Sequence, residues 1–181
     1  MRITAGSLRG RVIRVPDVAG LRPTPAKVRQ ALFNILGPLD DMRLLDLFSG
    51  SGVMALEAIS RGASSAVSIE LNRRLTREMG SIRDSWALSD RWQIKTIGVE
   101  KGLASLAGEH FELVFADPPY QQGFSEQIPA WLDKCEISCD RLIVEESTKV
   151  KPVWPDGWSC VQSRPYGDTC LHFLQKMKPD V

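Results

Sequence analysis

The stretch Asp46-Leu47-Phe48-Ser49-Gly50-Ser51-Gly52 follows a short apolar run, Leu44 to Phe48, and precedes a helical pattern over Val53 to Ser60. It reads as strand, glycine loop, helix. Two glycines let the backbone pass close to a ligand at the carboxyl end of a strand, where open α/β sheets bind. Gly50, Gly52 and Ala55 also satisfy the dinucleotide pattern, so a nicotinamide or flavin enzyme is a rival reading. Asp46 weighs against it. A pyrophosphate approaching the loop does not welcome an anion just before it, whereas a ligand carrying an ammonium group does.

Outward from this loop the pattern alternates. Strands are predicted at Ala66–Glu70, Trp92–Ile97, Phe111–Ala116 and Arg141–Glu145. Asn72 caps a predicted helix with Leu75, Met79, Ile82 and Trp86 on one side. Shorter helices are predicted at Glu100–Leu106 and Phe124–Leu132, and the tail from Trp158 to Gln175 reads as two strands about the turn Tyr166-Gly167-Asp168. Strand and helix in alternation mean a mostly parallel sheet with helices on both faces, here with an antiparallel pair at one edge. Residues 2 to 15 read as two strands around Gly6 to Gly10. Thr24 is the expected N-cap and Pro25 the first turn of a helix whose apolar face is Val28, Ala31, Leu32, Ile35 and Leu36. Residues 1–36 form the candidate sub-domain and 37–181 the main domain.

The chain has 181 residues, 43% hydrophobic and 25% charged, which excludes disorder, collagen and coiled coil as whole-chain readings. No apolar run approaches the roughly 18 residues of a membrane span, and no signal peptide opens the chain. No membrane partner and a cytoplasmic location are therefore expected. Cys135, Cys139, Cys160 and Cys170, with His110 and His172, lack zinc-ligand spacing, so free thiols and no metal are expected. The net charge of +1 hides an asymmetry. Residues 1–36 carry seven basic side chains against Asp17, while the rest holds 16 basic and 21 acidic ones. A basic arm on an acidic body points to an anionic partner.

Glu70 closes the strand after the glycine loop, where an acid accepts hydrogen bonds from ribose hydroxyls. Asp117-Pro118-Pro119-Tyr120 follows the strand Phe111–Ala116 directly. Two prolines lack N–H donors and hold an extended path. Asp117 offers a carboxylate, Pro118 a carbonyl, and Tyr120 a flat ring. Two acceptors beside a stacking platform suit an exocyclic amino group on a planar base.

In this order and at these places the motifs resemble class I methyltransferases that use S-adenosylmethionine. Further stretches narrow the likeness: Met1-Arg-Ile, Gly6 with Arg9-Gly-Arg11, Arg22-Pro-Thr24, Val28 to Asn34, Leu56 to Ala63 and Tyr166-Gly-Asp-Thr169. Together they resemble the bacterial 16S rRNA guanine-N2 methyltransferase family of RsmD type, to about Gln175. The resemblance implies a seven-stranded Rossmann-like sheet with an antiparallel final strand, preceded by a β-hairpin and helix. It implies methyl transfer to N2 of one guanine in 16S ribosomal RNA and favours a small-subunit particle over naked RNA as the substrate; no obligate protein partner is evident in the sequence. By the same resemblance Asp46, Gly50 and Gly52 line the methionine end of S-adenosylmethionine, Glu70 holds its ribose, and Asp117 and Tyr120 hold the target base, with the Pro118 carbonyl beside them as the second candidate acceptor. Arg9, Arg11, Arg14 and Arg22 of the arm are the candidates for RNA phosphates. One departure stands out: where the family often has an aspartate after the third strand, touching the adenine, the nearest acid here is Glu100. The alternatives are an adenine-N6 methyltransferase on DNA or RNA, and a non-catalytic RNA-binding module with a vestigial pocket.

Overall fold

The computed structural model describes residues 1–18 and 24–177. Arg22 lies outside the described residues. Seven strands form one sheet in the order β3-β2-β1-β4-β5-β7-β6. These are β1 (Arg43–Leu47), β2 (Ser65–Glu70), β3 (Trp92–Thr96), β4 (His110–Ala116), β5 (Ser138–Ser147), β6 (Trp158–Tyr166) and β7 (Thr169–Lys176). The helices are α1 (Ala26–Leu36), α2 (Val53–Ser60), α3 (Arg73–Ser85), α4 (Val99–Ala104) and α5 (Phe124–Lys134). Residues Met1–Val99 and Glu100–Val181 form two compact units.

In the first unit β1, β2 and β3 pair in parallel, with Asp46 opposite Ser68 and Glu70 opposite Thr96. Leu44, Leu45 and Leu47 of β1 and Ala66, Val67 and Ile69 of β2 are all buried. That continuous burial is what a parallel strand covered on both faces requires. All eight residues of α2 are buried, Glu57 and Ser60 included. Asn72 caps α3 as expected, its side chain accepting from the Arg74 and Leu75 amides. Leu75, Met79 and Ile82 turn inward from that helix. In the second unit β4 and β5 are parallel, and β7 runs antiparallel to both β5 and β6. The predicted terminal hairpin thus inserts its second strand beside β5.

The amino-terminal hairpin is shorter than the two strands expected. One antiparallel bridge, Arg2 with Val12, is flanked by backbone bonds from Ile3 to Arg11 and from Ile13 to Met1. Between them the chain turns onto the end of α2 instead of extending. The Ser7 amide and hydroxyl donate to the Ser60 carbonyl, and the Leu8 amide donates to the Ser60 hydroxyl. Gly6 has φ +81, and a Cβ there would collide with the Ser60 carbonyl oxygen, so only glycine fits.

Two expectations for α1 are corrected. Thr24 does not cap it: Pro25 holds the N-cap position without a side-chain bond, and the Thr24 carbonyl accepts from Arg29 Nη1 at 2.6 Å. The apolar face is also displaced. Phe33 and Arg29 are buried while Ile35 is 38% exposed. The cause is Glu57, fully buried on α2. It accepts from the Thr4 amide and hydroxyl, both at 2.9 Å, and from Nε of Arg29 and of Arg61, both at 3.4 Å. Arg29 therefore serves the interior and does not belong to the arm's solvent-facing charge. Among the described residues no helix is long and apolar enough to cross a membrane. All four cysteines are free thiols, and among the described residues no cluster of His, Cys, Asp or Glu is placed to hold a metal.

Candidate functional site

The glycine loop leaves β1 through Phe48, whose φ of 57 is unusual for a bulky side chain, and continues through Gly50 and Gly52, both also at positive φ. Gly52 then starts α2 in a left-handed conformation. A Cβ at Gly52 would stand 2.5 Å from the Trp92 ring and 2.9 Å from the Met79 sulfur. This second glycine is thus required by packing as well as by backbone shape.

Asp46 lies 1% exposed at the carboxyl end of β1. Burial pushes its carboxyl from 3.8 up to about 7, and the neighbouring Glu70 charge adds to the rise. The hydroxyls of Ser49 and Ser68 pull the other way. Ser68 stands 3.5 Å from Asp46 Oδ2 and itself accepts from the Trp92 indole N–H at 3.0 Å. A three-residue chain across β1, β2 and β3 therefore fixes the acid. Glu70 is anchored as firmly. Its Oε2 accepts from the Gly50 amide at 2.9 Å and its Oε1 from the Asn72 amide at 2.8 Å. Each oxygen keeps acceptor capacity for a further donor. Glu70, singled out in the sequence separately from the Asp46–Gly52 stretch, is brought against it here through Gly50 and Asp46. The result is two carboxylates at one loop, one buried and reluctant to ionise. A cation satisfies that arrangement, and a pyrophosphate aggravates it.

In the second unit Asp117 to Tyr120 leave the end of β4 and lead through Gln121 and Gly123, both at positive φ, into α5. Pro118 is buried and Asp117 half-buried. The Tyr120 hydroxyl donates to Glu145 Oε1 at 2.8 Å and meets the Thr169 hydroxyl at 2.9 Å. Burial and the Glu145 charge push the phenol above its usual range, so it stays a neutral donor. The ring is consequently pinned by β5 and the start of β7. Glu145 and Thr169 were visible in the sequence only as a strand end and the residue after a turn. Nothing in the spacing reveals that they converge on Tyr120. Glu100 is exposed in the first turn of α4.

On the arm Arg9, Arg11 and Arg14 are exposed. The Arg11 guanidinium sits 5.0 Å over the Trp86 ring, a cation–π contact that holds it against the end of α3.

The family model described as conserved hypothetical protein 95 matches residues 1–175. Ribosomal RNA small subunit methyltransferase D of Escherichia coli is 33% identical over 181 residues, covering 97% of this chain and 90% of the relative. The chain belongs to the RsmD family. The solved Escherichia coli chain yhhF overlays with a TM-score of 0.85 at 32% identity, covering 97% of each chain. An RNA methyltransferase from Salinibacter ruber, solved with S-adenosyl-L-homocysteine, overlays with a TM-score of 0.66 over 88% of this chain and 96% of that one. At 15% identity that likeness is one of fold, the class I methyltransferase sheet. The RsmD-family match runs through the arm, the glycine loop and the Asp117 loop alike.

Proposed function

We propose that the protein transfers the methyl group of S-adenosylmethionine to the N2 amino group of a guanine in 16S ribosomal RNA, in the cytoplasm and within a small-subunit particle. The observation that carries the reading is the family match along residues 1–175, because it takes in the RNA-facing arm as well as both loops. The local chemistry agrees. Asp46 and Glu70 make an acidic seat, which fits a cofactor bearing an ammonium and a sulfonium and disfavours NAD. Glu70, oriented by the Gly50 and Asn72 amides, accepts from the ribose hydroxyls.

When bound, S-adenosylmethionine supplies an activated methyl group. The remaining difficulty is the nucleophile, since the lone pair of guanine's amino group is delocalised into the ring. Asp117 and the Pro118 carbonyl accept the two amino hydrogens and turn the lone pair toward the methyl. This is positioning and electrostatic help. Asp117 relays the proton released after transfer. Tyr120, fixed through Glu145 and Thr169, offers its ring to the base, and base–aromatic stacking contributes about 1 to 3 kcal/mol. The base enters unpaired or flipped out. Residues 1–36 act as the RNA-binding extension, with Arg9, Arg11, Arg14 and Arg22 on phosphates, which position the RNA without reading its sequence.

Mass spectrometry of 16S rRNA nucleosides from cells with and without the gene tests the reading. Loss of N2-methylguanosine, restored by wild type and not by Asp117→Ala, is the expected result. Loss of an N6-methyladenosine signal instead selects the adenine alternative. The Asp117→Ala protein should bind the cofactor within a few fold of wild type, since the lost carboxylate acts on the substrate's amino group.

A further inference from the structure

Helix α3 carries a basic surface that the transfer chemistry does not use. Arg73, Arg74 and Arg77 all lie in its first five residues, and all three are exposed. Among the described residues none of them has an acidic partner. Arg73 and Arg77 stand four residues apart, so they share a face, and like charges at that spacing destabilise a helix unless an anion intervenes. Between them is a recess: Arg73, Thr76, Arg77 and Thr96 line a pocket of about 350 Å³. The Thr96 hydroxyl meets that of Thr76 at 3.0 Å, which ties the β3 wall of the pocket to the helix wall.

The arm reaches the same helix at two places. Arg74 Nη1 donates to the Asp17 carbonyl at 3.1 Å near the start of α3, and Arg11 covers Trp86 at its end. The arm and the pocket thus use different faces of one helix, Arg74 and Trp86 meeting the arm while Arg73, Thr76 and Arg77 line the recess. Its chemistry is that of a phosphate seat, with two guanidinium forks at a recess. A membrane surface is a poor match, because Leu75, Met79 and Ile82 of α3 are buried and no apolar face is left to insert.

We infer that the pocket of Arg73, Thr76, Arg77 and Thr96 grips a backbone phosphate of the RNA substrate, adding a contact on α3 to those of the arm. The inference rests on the RNA-methylating reading above.

The test is the double variant Arg73→Gln/Arg77→Gln, with RNA affinity and methylation measured between 50 and 200 mM salt. Each lost single-strand contact removes about 0.7 from the salt slope, which at 0.1 M salt is roughly fivefold in affinity. The double variant gives up that one phosphate contact and should lose about 0.7 in slope and roughly fivefold in Kd and in KM for RNA. Its kcat at saturating RNA and its S-adenosylmethionine affinity should equal wild type. Arg73→Lys/Arg77→Lys keeps both charges and should restore most of the slope, which separates lost contact from lost fold. An unchanged Kd and slope in the Gln variant, beside a wild type that methylates RNA, overturns the inference alone. If wild type binds inorganic phosphate and the Gln variant loses that binding with RNA affinity untouched, the pocket takes a free anion and the RNA assignment falls. A wild type that neither binds nor methylates ribosomal RNA overturns the proposed function instead.

Discussion

Replacing Asp46 by Asn tests the acidic seat most directly. The substitution keeps the shape of the side chain and removes the charge. In the folded chain burial holds the carboxyl at about 7, against 3.8 for the unfolded chain. The folded state therefore keeps its proton more tightly, and this residue's contribution to stability is fully present below about pH 4 and lost as pH rises toward 7. The complete loss is about three pH units, or roughly 4 kcal/mol at 1.36 kcal/mol per unit. Between pH 5 and pH 8 the integrated change is about 2 to 3 kcal/mol. Urea denaturation of the unliganded protein at these two pH values should show wild type losing that much stability relative to Asp46→Asn. Calorimetric titration supplies the second half. A cationic cofactor needs Asp46 ionised, so at pH 6 about nine in ten molecules must first release a proton, and affinity should fall roughly tenfold from pH 8. The Asn variant should bind more weakly at pH 8 and lack that part of the pH dependence. A stability difference that stays flat from pH 5 to pH 8 refutes the buried-acid account. So does a cofactor titration whose pH dependence is the same in both proteins.

Three further outcomes follow from other contacts. Glu70→Ala removes the acceptor of the Gly50 and Asn72 amides together with the proposed ribose ligand, so calorimetry should show cofactor binding weakened by about 1.5 to 3 kcal/mol. Unchanged affinity removes Glu70 from the site. Glu57→Ala leaves Arg29 buried without its acid and the Thr4 amide without its acceptor, and denaturation should record a loss of about 3 to 5 kcal/mol; a change under 1 kcal/mol contradicts the clamp. Arg9→Glu/Arg11→Glu should weaken RNA binding broadly across sequences and lower the salt slope, with cofactor affinity kept. A folded double variant with wild-type slope moves the RNA site away from the hairpin.

The alternation of strands and helices was legible because each element carries its own pattern. Val53–Ser60 and the Asn72 cap are local matters of side chain and spacing, and the structure has them where the sequence puts them. The misplaced cap at Thr24 and the shifted face of α1 have one non-local cause. Glu57, 28 residues beyond Arg29, draws that arginine inward, and no helical periodicity can reveal it. The loop acids behave in the same way. Asp46 and Glu70 could be named from their place at strand ends. The burial that lifts Asp46, and the Ser68 hydroxyl on the next strand that partly offsets it, exist only once the sheet has formed, and the anchoring of Glu70 depends on a loop twenty residues earlier. Tyr120 could be chosen as a ring, but its tether to Glu145 and Thr169 exists only once β5 and β7 are side by side.

Helix α2 is only eight residues long, about 12 Å from end to end, and it is buried throughout. Its first turn is the floor of the glycine loop, and its last turn is the seat of residues 4 to 8. The proposed grip on RNA and the proposed cofactor seat therefore share a foundation. A chain shortened to begin after the hairpin would strip Glu57 and Ser60 of their partners, and its failure would report on folding before it reported on RNA. For an evolving lineage the same geometry limits where substrate preference can drift. Gly6, Ser7 and Leu8 are tied to the foundation and Arg11 rests on Trp86, while Arg9 and Arg14 are exposed and can be exchanged at little structural cost. Under the proposed reading, the strength of the hold on RNA phosphates can therefore be retuned at the tip of the arm over an unaltered base.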